Sequence, residues 1–195
     1  MKNTIIVFLT FLTVSNVMVA QNAKIGITFS AFSDNEVLRF SYSYVGDASY
    51  DANSSYTIGF TYLKPLNNWL EIETGIEYIN GSITVHPAPM IQRAPHTDKV
   101  SFLNFPVSVR ASFWKYCFAN GGLIIDTDLS LSSPIDAQVG LGAMLGVGLE
   151  YDFKSGISLF VNPYFKVHTL VPFSFNSCSQ RFLESAVRFG ITYQL

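Results

Sequence analysis

The sequence predicts an all-β protein: an eight-stranded antiparallel up-and-down barrel that crosses a membrane. Three observations predict it. Residues 137–152 alternate, with Val139, Leu141, Ala143, Leu145, Val147, Leu149 and Tyr151 on one face and Gln138, Gly140, Gly142, Met144, Gly146, Gly148, Glu150 and Asp152 on the other. A period of two marks a strand, and this one is long against a usual strand of about 5–6 residues. A tilted strand spanning a bilayer needs about 9–11 residues plus its rims. The two faces divide into apolar and glycine-polar, the pattern of lipid outside and a polar lumen within. Finally, short and long connections alternate strictly along the chain.

Composition agrees. Charged residues make up 13% of the 195 residues, against about 25% in an ordinary globular chain. The deficit suits a surface that meets lipid. A formal net charge of −2 gives no basic footprint for nucleic acid. Two cysteines are too few for a disulfide framework. Residues 1–20 read as a secretory signal peptide: Lys2, a short apolar run over residues 5–14, and a cut after Ala20. Residues 21–195 are then the barrel.

The strands follow in order. The first covers residues 24–33, with Ile25, Ile27, Phe29 and Ala31 outward and Gly26, Thr28, Ser30 and Phe32 inward. Residues 34–53 have loop composition, though 38–44 alternate and suggest a short extension of the sheet. The second strand, 54–64, turns outward Tyr56, Ile58, Phe60 and Tyr62. After a turn at 65–68, the third covers 69–83, with Glu71, Glu73, Gly75 and Glu77 inward. Residues 84–98 read as a long loop holding His86 and His96. The fourth strand, 100–113, carries Asn104, Pro106, Ser108 and Arg110 inward. Pro106 cannot donate to a ladder and is expected to mark a bulge or a local distortion. The fifth strand is 117–128, with Asp126 inward. The sixth and seventh cover 137–152 and 157–170, the latter with Lys166 and His168 inward. Residues 171–182 read as a loop. The eighth strand, 184–195, places Arg188 inward and closes on the first.

The short rim is ringed with Tyr62, Trp69, Phe113, Trp114, Tyr116, Tyr151 and Phe153, which reads as an aromatic girdle at headgroup level. Inside, Glu71, Glu73, Glu77, Arg110, Asp126, Glu150, Lys166, His168 and Arg188 are expected to form a structural polar network, because buried charges must be paired. Pairing residue 83 with residue 100 would set Glu73 directly opposite Arg110. The inward glycines of the sixth strand suggest a local recess. Cys117 and Cys178 fall on opposite rims, about 25 Å apart across the hydrocarbon span, so no intramolecular disulfide is expected.

Several stretches resemble the outer-membrane β-barrel domain family common in Bacteroidetes, the group that includes PorT-like proteins. They are Lys24-Ile-Gly-Ile, Tyr56-Thr-Ile-Gly-Phe60, Leu70-Glu-Ile-Glu-Thr-Gly-Ile-Glu-Tyr78, Phe102-Leu-Asn-Phe-Pro-Val107 and Gly146-Val-Gly-Leu-Glu-Tyr151, with Gly140-Leu-Gly-Ala before the last. The resemblance implies an integral outer-membrane protein with no shared catalytic motif. The terminal Leu195 departs from the aromatic with which many such barrels end.

The functional expectation is a barrel of the outer membrane with a closed polar lumen, short turns and both termini periplasmic. It would act by binding, adhesion or a structural or accessory role through its long loops, touching lipid and a protein partner, without cofactor or metal. A secreted lipocalin-like carrier would instead need its apolar face inward. A small outer-membrane lipid-modifying enzyme would need a nucleophile and base in contact. His168 beside a lumen serine is the one pairing that suggests it.

Overall fold

The computed structural model describes residues 23–39, 48–88, 94–130, 135–136, 138–173 and 180–195. The expected signal peptide and Cys178 lie outside the described residues, so neither that cleavage nor the disulfide expectation is addressed by the fold. The strands are β1 (Lys24–Arg39), β2 (Ser49–Ala52), β3 (Tyr56–Pro65), β4 (Leu70–His86), β5 (His96–Phe113), β6 (Cys117–Asp128), β7 (Gly140–Asp152), β8 (Ile157–Pro172) and β9 (Gln180–Gln194). All pair antiparallel in one sheet, ordered β2-β4-β3-β1-β9-β8-β7-β6-β5, and β4 also pairs with β5. That last pairing turns the sheet into a ring. Each strand of the ring pairs on both sides, which removes the open edges a sheet otherwise presents.

The ninth strand corrects the expected count of eight. β2 pairs only with the upper part of β4, from Ser49↔His86 to Ala52↔Ile83, and β3 takes over the same edge from Tyr56↔Asn80. The two are one wall position interrupted at residues 53–55. Four residues of loop-like composition carry too little pattern to be read as a strand. Side chains close the interruption. Asn35 Nδ2 donates to the Asn53 carbonyl at 2.7 Å, and Ser33 Oγ donates to the Ser55 carbonyl at 2.8 Å.

The long-loop side is also taller than expected. β4 and β5 run on through the supposed 84–98 loop as far as Val85↔His96. β1 and β9 run on to Arg39↔Gln180, within the segments read as loops at 34–53 and 171–182. Two irregularities reset the pleat. Between Ala31 and Asp34 the β1–β9 register shifts, and Phe32 takes a positive φ of 55° and turns outward rather than inward. Above Val167 the β7–β8 register shifts as well, with Thr169 at φ 49°.

The prolines behave differently from one another. At Pro106 the distortion is local and no bulge forms: the β4–β5 pairing is interrupted between Thr74↔Val107 and Glu77↔Asn104, with the same register on both sides. Thr74 Oγ1 donates to the Pro106 carbonyl at 3.0 Å. Pro163 falls opposite Val147 and has no N–H to offer. The Asn162 side chain supplies the missing donor, Nδ2 to the Val147 carbonyl at 2.8 Å. Nor do the inward glycines leave a recess. A Cβ on Gly148 would lie 2.3 Å from Phe118 Cζ, and one on Gly190 2.2 Å from Phe160. The two phenylalanine rings fill the space that the glycines vacate.

Replacing Asn162 with Ala is expected to cost about 1–3 kcal/mol, the penalty of stranding a buried polar group. Adding Pro163→Ala to that variant restores a backbone donor and is expected to recover part of the loss. Urea unfolding in phospholipid vesicles, followed by tryptophan fluorescence, measures both.

Candidate functional site

The candidate site is the interior of the ring. The period of two sends every second side chain inward, and the charged inward residues of seven strands, β1 and β4 to β9, converge on one charge system. Glu73, Glu77, Arg110, Asp126, Lys166, His168 and Arg188 are buried there, and Glu71 and Glu150 lie at its lower edge, half-buried.

Three layers stack from the short-turn rim upward. In the lowest, Lys24 Nζ reaches Glu150 at 2.6 Å and Asp152 at 2.8 Å, and Arg110 pairs with Glu150 and, at 3.7 Å, with Glu71. The Arg110 guanidinium lies over the Phe118 ring, 3.5 Å from its centroid, with Phe160 on from it at 5.2 Å. This cation–π seat offsets part of the cost of burying the charge. In the middle layer Arg188 Nη1 pairs with Glu73 at 2.8 Å and with Glu77 at 3.6 Å, and its Nη2 donates to Asn162 Oδ1 at 2.9 Å. Lys166 bonds Glu77. Glu184 accepts from the Tyr164 hydroxyl at 2.6 Å and from Thr57 at 3.1 Å. At the top His168 sits between two carboxylates: Nδ1 is 2.9 Å from Asp126 and Nε2 is 3.4 Å from Glu184. The Thr169 amide, re-aimed by the bulge, donates to Asp126 at 2.7 Å.

Above His168 the chemistry changes. Ile79, Ile83, Val100, Phe102, Ile135 and Phe182 form an apolar cluster, with Val37, Tyr50 and Ala52 packed against it. The His168 ring lies against Phe102 and Phe182, at centroid distances of 5.8 and 5.6 Å. The lumen is therefore not polar throughout, as the sequence reading has it. Its long-loop end is stoppered by hydrocarbon.

The register places Glu71, not Glu73, opposite Arg110, and Glu73 opposite Ser108. Glu73 crosses the lumen to Arg188 instead. The assumed register was displaced by two residues, which keeps every side chain on its face and so leaves no trace in the pattern. Sequence reasoning also missed Glu184 and Tyr164. Both fall on the inward period of their strands, Tyr164 in step with Lys166 and Glu184 in step with Arg188, and that spacing is the signal that finds them. His86 and His96 end β4 and begin β5, with His86 3.0 Å from Asp51 and His96 3.5 Å from Asp98. Among the described residues no group of three or more His, Cys, Asp or Glu is placed to hold a metal.

The outer face is the reverse of the inner. Ile27 is 64% and Leu145 66% exposed, whereas Lys166 and Asp126 are 0% exposed. Trp69, Phe113, Trp114, Tyr116, Tyr151 and Phe153 are exposed at the short-turn rim, and Tyr62 is half-buried beside them. Tyr151 packs edge-on against Phe153 at 4.8 Å and stacks on Tyr116 at 5.8 Å.

The ring as a whole is similar to outer-membrane proteins of known structure. The outer membrane protein OprG from Pseudomonas aeruginosa matches with a TM-score of 0.56 and 11% identity, over 90% of this chain and 97% of that one. The outer membrane protein AlkL, determined in DMPC lipid bilayers, matches with a TM-score of 0.51 and 14% identity, over 90% of each chain. At these identities the likeness is one of fold. No family model matches the sequence, and no curated protein matches it.

Breaking one arm of the middle layer is expected to cost more than dismantling it. Arg188→Met leaves Glu73 buried without its partner and is expected to destabilise by about 3–5 kcal/mol. The pair Arg188→Met with Glu73→Gln is expected to cost clearly less than the sum of the singles. Equilibrium unfolding of the three variants in vesicles measures the coupling.

Proposed function

We propose that this protein is an integral barrel of a bacterial outer membrane, with its lumen closed and its activity carried by the long loops. The observation that carries the reading is the inverted partition: charges are sealed inside the ring while isoleucine, leucine and phenylalanine face outward around it. In water that arrangement would expose a large apolar surface at a heavy cost. In lipid it is the favourable one, and ring closure satisfies the backbone groups that hydrocarbon cannot. The fold shared with OprG and AlkL supports the same reading. So do the motifs resembling the Bacteroidetes barrel family. The short-turn aromatics and the expected signal peptide favour short turns and both termini in the periplasm.

The filled interior supports a non-conducting barrel. Arg110, Arg188 and their carboxylates occupy the lower lumen, and the Phe102 cluster blocks the long-loop end. A soluble carrier of an apolar ligand requires the opposite orientation of faces. For a lipid-modifying enzyme the histidine is poorly placed, because both His168 nitrogens face carboxylates rather than a hydroxyl. What remains as the site of action is the long-loop rim, with adhesion, partner binding or an accessory role as its task.

Cell fractionation combined with planar-bilayer recording tests the reading. The expected result is recovery in the outer-membrane fraction, band migration that shifts on boiling, and no ion conductance in the inserted protein. Recovery of a soluble monomer without detergent would overturn the membrane assignment, and steady conductance would overturn the closed lumen.

A further inference from the structure

We propose that the outer face between β6 and β8 holds one anionic glycerophospholipid, with an acyl chain in a groove of the barrel wall and its phosphate at the short-turn rim. The inference rests on the membrane reading above and goes beyond it by giving the wall a preferred lipid.

The groove has a volume of about 690 Å³ and is lined by Tyr116, Cys117, Leu149, Glu150, Tyr151, Leu159, Phe160 and Val161. It is an open depression of the wall rather than an enclosed cavity, so it can seat a chain lying along the barrel surface. Its origin is local. Cys117, Leu149 and Val161 form one cross-strand row, since the register pairs Cys117 with Leu149 and Leu149 with Val161. The row continues to Phe113 on β5, and the small cysteine leaves a dip between Phe113 and Leu149 beside Tyr116. The lining side chains that face outward are apolar, so the groove takes a hydrocarbon chain and offers it little else.

The rim end has a different chemistry. Tyr116 and Tyr151 stack there and turn amphipathic rings toward the level where headgroups lie. The Lys115 ammonium sits 5.2 Å from the Tyr116 ring centroid, which places a positive charge at the mouth of the groove. The turn joining β7 to β8, the groove's two longer walls, carries Lys154. The nearby carboxylates are already engaged, Glu150 by Lys24 and Arg110, and Asp152 by Lys24 and Ser158. An apolar channel ending in the Lys115 ammonium and two tyrosines, with Lys154 on the adjoining turn, matches a fatty-acyl chain ending in a phosphodiester with net negative charge. A zwitterionic lipid satisfies the channel but gains less at the lysines.

The test is native mass spectrometry of the full-length protein released from vesicles containing equal amounts of dioleoylphosphatidylglycerol and dioleoylphosphatidylcholine. Boiling-dependent gel migration is the control for folding. The expected result is one retained lipid, predominantly phosphatidylglycerol. Lys115→Glu is expected to lower phosphatidylglycerol retention about fivefold or more, the effect of roughly one interfacial charge. Cys117→Trp fills the groove and is expected to abolish retention of both lipids. Equal retention of the two lipids by the native protein, or retention unchanged in Lys115→Glu, overturns the proposal while leaving the barrel in the membrane. Should Cys117→Trp fail to fold, the Lys115→Glu arm decides alone. A protein that does not enter the vesicles overturns the membrane reading and the lipid site together.

Discussion

The structure depends on closure of one hydrogen-bond ladder. β1 pairs with β3 on one side and with β9 on the other, from Lys24↔Gln194 to Arg39↔Gln180. Without that seam the sheet has two open edges, each a row of unsatisfied amides and carbonyls. In hydrocarbon each such group costs several kcal/mol, so a ring is the only sheet that fits there. The demand is strict enough to be visible in its exceptions. Where Pro163 interrupts the ladder, Asn162 bonds the orphaned Val147 carbonyl with its own amide. Where the wall changes from β3 to β2, Ser33 and Asn35 bond across the break.

Closing the ring creates the second constraint, because the interior must be filled. Strand alternation sends as many side chains inward as outward, and here the inward set carries the charge. Arg188 of β9 joins Glu73 and Glu77 of β4 across the lumen and Asn162 of the adjacent β8. Lys166 and His168 extend the chain of contacts through Glu77, Glu184 and Asp126. Buried pairs of this kind bring little net stability compared with a hydrocarbon core. They fill the lower and middle lumen with paired side chains drawn from several strands. The phenylalanines behind Gly148 and Gly190, and the apolar cluster under the long loops, complete the filling.

Much of this was legible in the sequence. The period of two put Glu73, Glu77, Arg110, Asp126, Lys166, His168 and Arg188 on the inner face, and the structure places all of them there. Three things were not legible, each for a physical reason. Register was lost because a slip of two residues preserves the face, so Glu71 rather than Glu73 came to face Arg110. Strand β2 was lost because four residues cannot display a period. The partners across the lumen were lost because contacts between opposite walls, such as Glu73 with Arg188, depend on the curvature of the closed ring and not on any local spacing. The two bulges, at Phe32 and Thr169, belong to the same class: nothing in their neighbours' composition marks a residue with φ above zero.

The central claim is that apolar residues of the ring face lipid while charged ones face inward. Quenching by lipid tests it most directly. In a background where Trp69 and Trp114 are replaced by Phe, a single tryptophan is placed at Leu145, outward at mid-strand, or at Met144, its inward neighbour, and the protein is folded into vesicles of brominated phosphatidylcholine. The account predicts strong quenching and a blue-shifted emission for the Leu145→Trp variant, and weak quenching for Met144→Trp. Equal quenching at both positions, or none at Leu145→Trp, would contradict it.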